Sequence, residues 1–394
     1  MIKKEVFWKN LGYKGFGFLK KDIACDYLIV GGGVTGVSLA YFLQKRNKNK
    51  NIVLIEKNKI ASGATGRAAG ILTPIAESDI KDLIKIYGKE KGLTYYYSAL
   101  EALHQVKHII KEEKINCDFE EEPSLYAEYK YNVFNKILDE YQVEKKLHMK
   151  VKLLVGKEIE KEIHTKLFKD AIHSHQSISI NPLKYTQNLS KKIWKRGVNI
   201  YEYTPLVEIK DNTAITPRAT IKFRKIIIST DTDLFSNKII PIKSTIAVSE
   251  KLTKEQLKLI GMPHKDILWD AKKDFNYLKF TKDNRILSGY GGHKIRRDES
   301  KTSFYEPHLR EIKSFLKRLF PDLNIKLEYA WSGTLGIHIS YIPIAKISFT
   351  PMIKFENNQI KILGTAGQVP AMMAAKYVSN KIFNKKSSLD EFFH

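Results

Sequence analysis

The sequence predicts an α/β protein in which a doubly wound unit is interrupted by a second unit of α+β character. Three observations carry that prediction. Glycines mark the turn from an apolar run into a helical pattern in "DYLIVGGGVTGVSLAYFLQK", Asp26 to Lys45. A second glycine-rich segment, "ASGATGRAAGILTP", Ala61 to Pro74, follows the next apolar run. Strand-and-glycine segments then return in the middle and at the end of the chain, with stretches of different character between them.

Each element has a local reason. Asp26–Gly31 runs apolar after its first residue, the mark of a parallel strand covered on both faces. Val34–Arg46 carries Val37, Leu39, Ala40 and Tyr41 at helical spacing toward a sheet, and Asn51–Glu56 is the next strand. From Thr94 to Lys111, Ala99, Leu100, Leu103, Val106, Ile109 and Ile110 recur at helical spacing with charges between. In Ile180–Gly197, Asn181 is placed to cap a helix, Pro182 to begin it and Gly197 to stop it. A strand-rich stretch follows, and the chain ends with the strand Ile360–Gly364 and the helix Pro370–Phe383.

The first glycines carry chemistry. Gly31, Gly33 and Gly36 form G-x-G-x-x-G: the first permits the tight turn, the second a close approach of backbone to a pyrophosphate, the third close helix–strand packing. The helix that follows offers free N–H groups and a partial positive charge to the phosphates. Glu56 ends the second strand twenty residues after Gly36, where a carboxylate accepts hydrogen bonds from an adenosine ribose. The pattern marks a Rossmann-like dinucleotide site without separating NAD from FAD.

The remaining motifs separate them. "IASGATGRAAGILTP" resembles the second FAD segment of the D-amino-acid-oxidase-like flavoproteins, the family of glycine oxidase, sarcosine oxidase and γ-glutamylputrescine oxidase. "SINPLKYTQNLSKKIWKRGVNIYEYTPLVEI", "KIIISTDTDL", "FNYLKFTKDNRILSGYGG", "WSGTLGIHISYIPI" and "ILGTAGQVPAMMAAKYVSNKI" follow in the family's order, so the resemblance runs from about Asp26 to the end. The leader, with Trp8, looks most like the γ-glutamylputrescine oxidase branch. The resemblance implies a Rossmann-like FAD-binding domain with an inserted α+β substrate domain built on a mostly antiparallel sheet. Residues 1–23 form a leader, 24–80, 165–240 and 336–394 the discontinuous FAD-binding domain, and 81–164 with 241–335 the substrate domain.

It also implies FAD contacts. These come from Gly31, Gly33, Val34, Thr35 and Gly36, from Glu56 and Lys57, and from Ser62, Gly63, Thr65, Gly66, Arg67, Ala68, Ala69 and Gly70. Val207 and Thr230 belong beside the adenosine, and Gly336, Gly364, Ala366, Gly367, Gln368, Val369 and Pro370 near the flavin ring. If the terminal helix aims its N-terminus at that ring, its dipole stabilises the negative charge of the reduced state. The family's covalent members use a Cys or His; Cys25 and Cys117 are elsewhere and "GATGRAAG" has no histidine, so FAD is expected to bind noncovalently. Two departures bear on substrate and oxygen reactivity: Ser340 and Ala345 replace the usual Asp and Gly, and Gly367-Gln368-Val369 replaces Gly-His-Gly.

The implied reaction is oxidation of the C–N bond of an amino acid or other amine, with hydride passing to flavin N5 and hydrolysis of the imine. Dioxygen or another acceptor then reoxidises the flavin. Lys279, in "Tyr277-Leu278-Lys279", stands where relatives carry an arginine; it is either the anchor of a substrate carboxylate or a solvated strand lysine. Arg67 approaches flavin or substrate, or forms a structural ion pair. Tyr277, Trp331 and Tyr290 either wall the pocket or belong to a core. His173 and His175 share a strand face, but two histidines are a poor metal signal and a surface position is expected. Hydrolase and phosphate-loop motifs are absent.

The formal charge of +24 leaves two further readings open: a flavoenzyme that modifies tRNA wobble uridine, or a noncatalytic flavin-binding subunit. Lysines are dispersed along the chain, so an RNA partner is not favoured. Two cysteines make no disulfide framework, no apolar run approaches a membrane span, and a cytoplasmic location is expected. Oligomeric state is not legible.

Overall fold

In the computed structural model, the described residues are 1–394 without 75–78, 132–134, 231–237, 273, 297–303, 339–349 and 394. Ser340 and Ala345 therefore lie outside the described residues.

The first sheet grows from the strand Ile23–Val30. It pairs in parallel with Thr220–Ile228 on one side and Ile52–Ile55 on the other. Asn199–Tyr201 and Gln359–Leu363 extend the parallel order outward, and Met352–Glu356 closes one edge antiparallel. Its centre is apolar on both faces because both faces are covered. The helices Val34–Arg46, Lys89–Glu112, Pro182–Lys195 and Gln368–Ile382 form one core against it. On the other face lie Leu19 of the leader, Ala214, Ile221 and Phe223.

Local signals place these helices well. Val34–Arg46 has the expected bounds, and Asn181 Oδ1 accepts the Lys184 N–H as the cap before Pro182. One feature differs from an amphipathic surface helix: Val34–Arg46 is buried nearly all round, because helices pack on its outer side as well.

Among the described residues the second sheet has nine strands, antiparallel except for one parallel pair, Ile267–Asp270 against Glu120–Tyr129. One of its faces packs Leu125, Leu268, Leu278, Phe280 and Ala330 onto the helix Glu306–Leu319. The other carries Ile246, Val248, Leu287 and Trp331 against Trp8 and Ala69. Phe168–Ser179 belongs to this sheet, paired with Glu120–Tyr129 and Val151–Val155. The sequence reading placed 165–179 with the nucleotide unit; pairing on both sides puts the strand elsewhere. No helix among the described residues is long and apolar enough to cross a membrane.

Candidate cofactor and active site

The first glycine turn is shaped by near-contacts that leave no room for side chains. Gly31 has φ +110°, and a Cβ there would sit 2.6 Å from the Ser229 carbonyl oxygen. At Gly36 a Cβ would lie 2.1 Å from the Gly31 carbonyl oxygen, so the helix Val34–Arg46 begins directly on the strand end. Gly33 is its N-cap, with no side-chain cap and no acidic residue in the first turn. Val34 N–H donates to Thr65 Oγ1 (3.1 Å), while helix geometry leaves the Thr35 and Gly36 amides without intrahelical partners. Such an end attracts an anion. Glu56 borders it: Oε2 accepts the Gly32 N–H (2.7 Å) and Oε1 the Asn58 N–H (2.9 Å).

The second glycine segment closes over this turn. Ala61 N–H donates to the Gly32 carbonyl, and Thr65–Arg67 form a short 3-10 turn. Gly66 and Gly70 each approach a backbone carbonyl so closely that a Cβ would come within 2.1 Å of it or less. Three bonds tie the segment outward. Trp331 Nε1 donates to the Arg67 carbonyl (2.9 Å), Trp8 Nε1 to the Ala68 carbonyl (2.9 Å), and Arg67 Nη1 to the Ser332 carbonyl (3.0 Å). Arg67 Nε is buried without a partner, and burial lowers the guanidinium pKa. Ser62, Gly63 and Lys57 remain exposed at the outer rim, while Ala69 packs beside Trp8 and Trp331.

The terminal helix meets the same place. Thr35 Oγ1 lies 3.2 Å from Thr365 Oγ1, joining the first turn to the loop before Gln368–Ile382. Gly364 (φ +66°) touches the end of the strand Leu327–His338, which carries Gly336. Ala366 is buried, and Gly367 (φ +110°) caps the helix with no side-chain cap and no acid in its first turn. Gln368, Val369 and Pro370 open it. Two acid-free helix N-termini therefore stand side by side. Gln368 is 7% exposed, and both its amide oxygen and nitrogen lack hydrogen-bond partners. Orphaned buried amide atoms are costly, and a ring with carbonyl and N–H groups would satisfy them. The residues fit a dinucleotide flavin: a close-approach glycine turn, a carboxylate at the end of the second strand, and an unsatisfied amide at a positive helix end.

Other predicted residues lie where sequence alone did not place them. Lys279 is not a solvated strand lysine. Its side chain is buried, Nζ donates to the Ile180 (3.4 Å) and Gly70 (3.5 Å) carbonyls, and it stands 5.4 Å from the Trp8 ring. Trp331 is a core residue that also tethers Arg67. Tyr277 lies across Gly289 in the same cluster. Tyr290 is on the opposite face, packed toward His308, because neighbouring residues of a strand alternate sides. Val207 is exposed, its amide held by the Ile215 carbonyl, and Thr230 is half-buried after Ser229. His173 is not a surface residue either: its Nε2 stands 3.3 Å from the buried Asp266 carboxylate.

Burial lowers the Lys279 ammonium to about 8, against the pull of Glu122 and Asp118. The denatured chain holds this proton up to about pH 10.4 while the folded chain sheds it near 8, so stability should rise with pH in that window. Replacing Lys279 by Met should remove about 2 kcal/mol of that rise between pH 8 and 10. Urea melts of both proteins at several pH values measure the difference; parallel curves would mean a solvated amine.

Four contributors escaped the sequence reading. Ser229 hydrogen-bonds the Val30 carbonyl and packs against Gly31. Thr365 faces Thr35, Gly32 supplies the amide to Glu56, and buried Glu202 fastens the leader to the Ile60 amide. Only the aligned spacing of Gly32 could have been noticed; the others are long-range contacts.

Residues 26–379 match the DAO family, described as FAD dependent oxidoreductase. Gamma-glutamylputrescine oxidoreductase of Escherichia coli (strain K12) is 24% identical over 342 residues, 84% of this chain and 78% of that protein. Among solved structures, glycine oxidase from Geobacillus kaustophilus superposes with a TM-score of 0.77 at 16% identity, covering 94% of this chain and 98% of that one. L-proline dehydrogenase from P. horikoshii gives 0.75 at 18%, covering 94% and 96%.

Proposed function

The chain belongs to the FAD dependent oxidoreductase family, and from that premise we propose that it oxidises the C–N bond of a small amine or amino acid. The observation that carries the reading is the pair of acid-free helix N-termini joined through Thr35 and Thr365, with the unsatisfied Gln368 amide at the second. One end suits a pyrophosphate, the other a ring that gains negative charge on reduction. The names of the relatives, each an oxidoreductase of an amine or amino acid, support the substrate class. Bound FAD would supply a two-electron acceptor for hydride from the carbon next to nitrogen.

The chain's own residues would hold and orient. Gly31, Gly33 and Gly36 admit the phosphates, Glu56 borders the ribose, and the Arg67–Ala68 segment is held rigid by two indoles and a guanidinium. Rigid placement of this kind is what proximity catalysis requires. Lys279, bonded to the Gly70 and Ile180 carbonyls, serves the loop's geometry in this reading. A noncovalent cofactor agrees with the cysteines: Cys25 and Cys117 are buried, and burial pushes both thiols up to about 12.

The test is an absorption spectrum of the purified protein followed by anaerobic addition of amines and amino acids. A yellow protein bleached by one of them is the expected result. A flavin that no amine or amino acid reduces would remove the proposal.

A further inference from the structure

The outer surface of the leader combines charge and apolar side chains in a way that neither cofactor nor amine requires. Residues 6–21 contain Lys9, Lys14, Lys20 and Lys21 and no acid; residues 171–201 contain four lysines and Arg196, again without an acid. The fold lays the leader along the end of the second segment and the residues just after it. Lys191 Nζ donates to the Gly12 carbonyl (2.6 Å), the Glu202 N–H to the Gly17 carbonyl (3.1 Å) and the Leu19 N–H to Thr204 Oγ1 (3.1 Å). Lys184 and Arg196 are ion-paired with Asp118 and Glu113, and Lys9 reaches Glu5 at 3.8 Å. No ion pair among the described residues answers Lys14, Lys20, Lys21, Lys192 or Lys195.

Three exposed apolar side chains stand among these charges. Leu11 is 98% exposed at the tip of a turn closed by the Tyr13 N–H on the Asn10 carbonyl (3.0 Å). Trp194 is 53% exposed. It falls outside the buried stripe of its helix, which runs through Tyr185, Leu189 and Ile193, and its ring leans on Phe16 with centroids 6.0 Å apart. Tyr203 is equally exposed and has φ +51°, a left-handed backbone that bulky side chains seldom adopt. The buried Glu202 before it and its own N–H on the Asn58 carbonyl (3.0 Å) hold it there. Strain kept for a ring that faces solvent points to a use for the ring.

We propose that this surface rests on an anionic membrane, with Leu11, Trp194 and Tyr203 entering the headgroup layer and the unpaired lysines facing lipid headgroups. Rings and an aliphatic tip beside lysines are the composition of an interfacial anchor, and the indole and phenol keep a polar edge toward water. Each lysine adds attraction to an anionic leaflet that fades within a Debye length. A bilayer fits this surface better than RNA does. Leu11 has no ring on which a base could stack, and the Tyr13 and Phe18 rings are already covered by Lys191 (5.3 Å) and Arg218 (4.1 Å). The unpaired cations are lysines, point charges that suit a diffuse surface rather than the fixed geometry of one phosphate. The inference concerns where the protein works, whichever amine it oxidises.

The test is co-sedimentation of the FAD-loaded full chain with vesicles of phosphatidylcholine alone and of phosphatidylcholine with about a third phosphatidylserine. The anionic vesicles should bind about tenfold tighter or more, and salt should weaken them. A formal charge of +24 would by itself produce some of that preference, so the variants decide. Leu11→Ser with Trp194→Ser leaves the charge unchanged and should lower anionic-vesicle affinity about tenfold. Leu259→Ser with Val155→Ser, at exposed residues outside this surface, should leave it unchanged. Lys20→Gln with Lys21→Gln should lower both the affinity and its salt dependence. Lipids brominated on their acyl chains should quench the tryptophan fluorescence of the natural protein and quench Trp194→Phe far less, because Trp8 and Trp331 are buried. That measurement needs no double variant to fold. No preference for anionic vesicles, or one that survives Leu11→Ser with Trp194→Ser, overturns the assignment. Retention of single-stranded RNA instead of vesicles through these same residues overturns it too.

Discussion

Gly36→Val is expected to give a folded protein that purifies without flavin. A Cβ at this position would stand 2.1 Å from the Gly31 carbonyl oxygen and 2.8 Å from Ser229 Oγ, and the first of these is backbone that cannot turn aside. The helix Val34–Arg46 must then move off the strand end, carrying the Thr35 and Gly36 amides away from the phosphate position. Overpacking of this kind costs about 1–3 kcal/mol in stability, which a core of this size absorbs. The loss falls mainly on the cofactor, because phosphate contacts depend on placement to within a fraction of an ångström. Flavin content below about a tenth of the natural protein's is the expected reading, from the ratio of visible to ultraviolet absorbance, with near-normal far-ultraviolet circular dichroism. Normal flavin content in the folded variant would mean that the phosphates bind elsewhere.

Glu202→Ala carries the second large effect, on stability. The Glu202 side chain is fully buried, and its carboxylate accepts the Tyr13 hydroxyl (2.7 Å), the Phe16 amide (2.8 Å) and the Ile60 amide (2.6 Å). Gly15, at φ +76°, lets the leader turn around it, since a Cβ there would meet Oε2 at 2.5 Å. Alanine would strand three donors that lie at or near the interior. At about 1–3 kcal/mol for each buried group left unpaired, offset in part by entering water, a loss on the order of 4 kcal/mol follows. The urea midpoint measures it, and Glu202→Gln should recover part of the loss because its amide oxygen still accepts. Because Ile60 leads into the second glycine segment, flavin should also leave the alanine variant more readily. A loss within experimental error would show that the leader is held by its other contacts, such as Trp8 to the Ala68 carbonyl.

The two variants divide the site by mechanism. Gly36 acts by what it lacks, and its neighbours approach only because no side chain intervenes. Glu202 acts by what it supplies, a charge shared among three donors, Tyr13 and Phe16 from one segment and Ile60 from another. The first kind of residue leaves a trace in sequence, as a glycine at fixed spacing. The second leaves none.

What sequence by itself determined follows the same division. The glycine turn, the helix Val34–Arg46 and the Asn181–Pro182 helix start were legible because their causes are local: φ, capping and 3.6-residue spacing all act between near neighbours. The order of the later motifs carried the family as well. The sheet to which Phe168–Ser179 belongs, the side taken by Tyr290, the burial of Lys279 and the unsatisfied amide of Gln368 were decided only by tertiary structure. A strand shows its alternation but not its partner, and a lysine shows its charge but not the carbonyls that will surround it. Those outcomes depend on pairings between residues distant in sequence, from Phe168–Ser179 with Glu120–Tyr129 to Lys279 with Gly70, which local propensity does not encode.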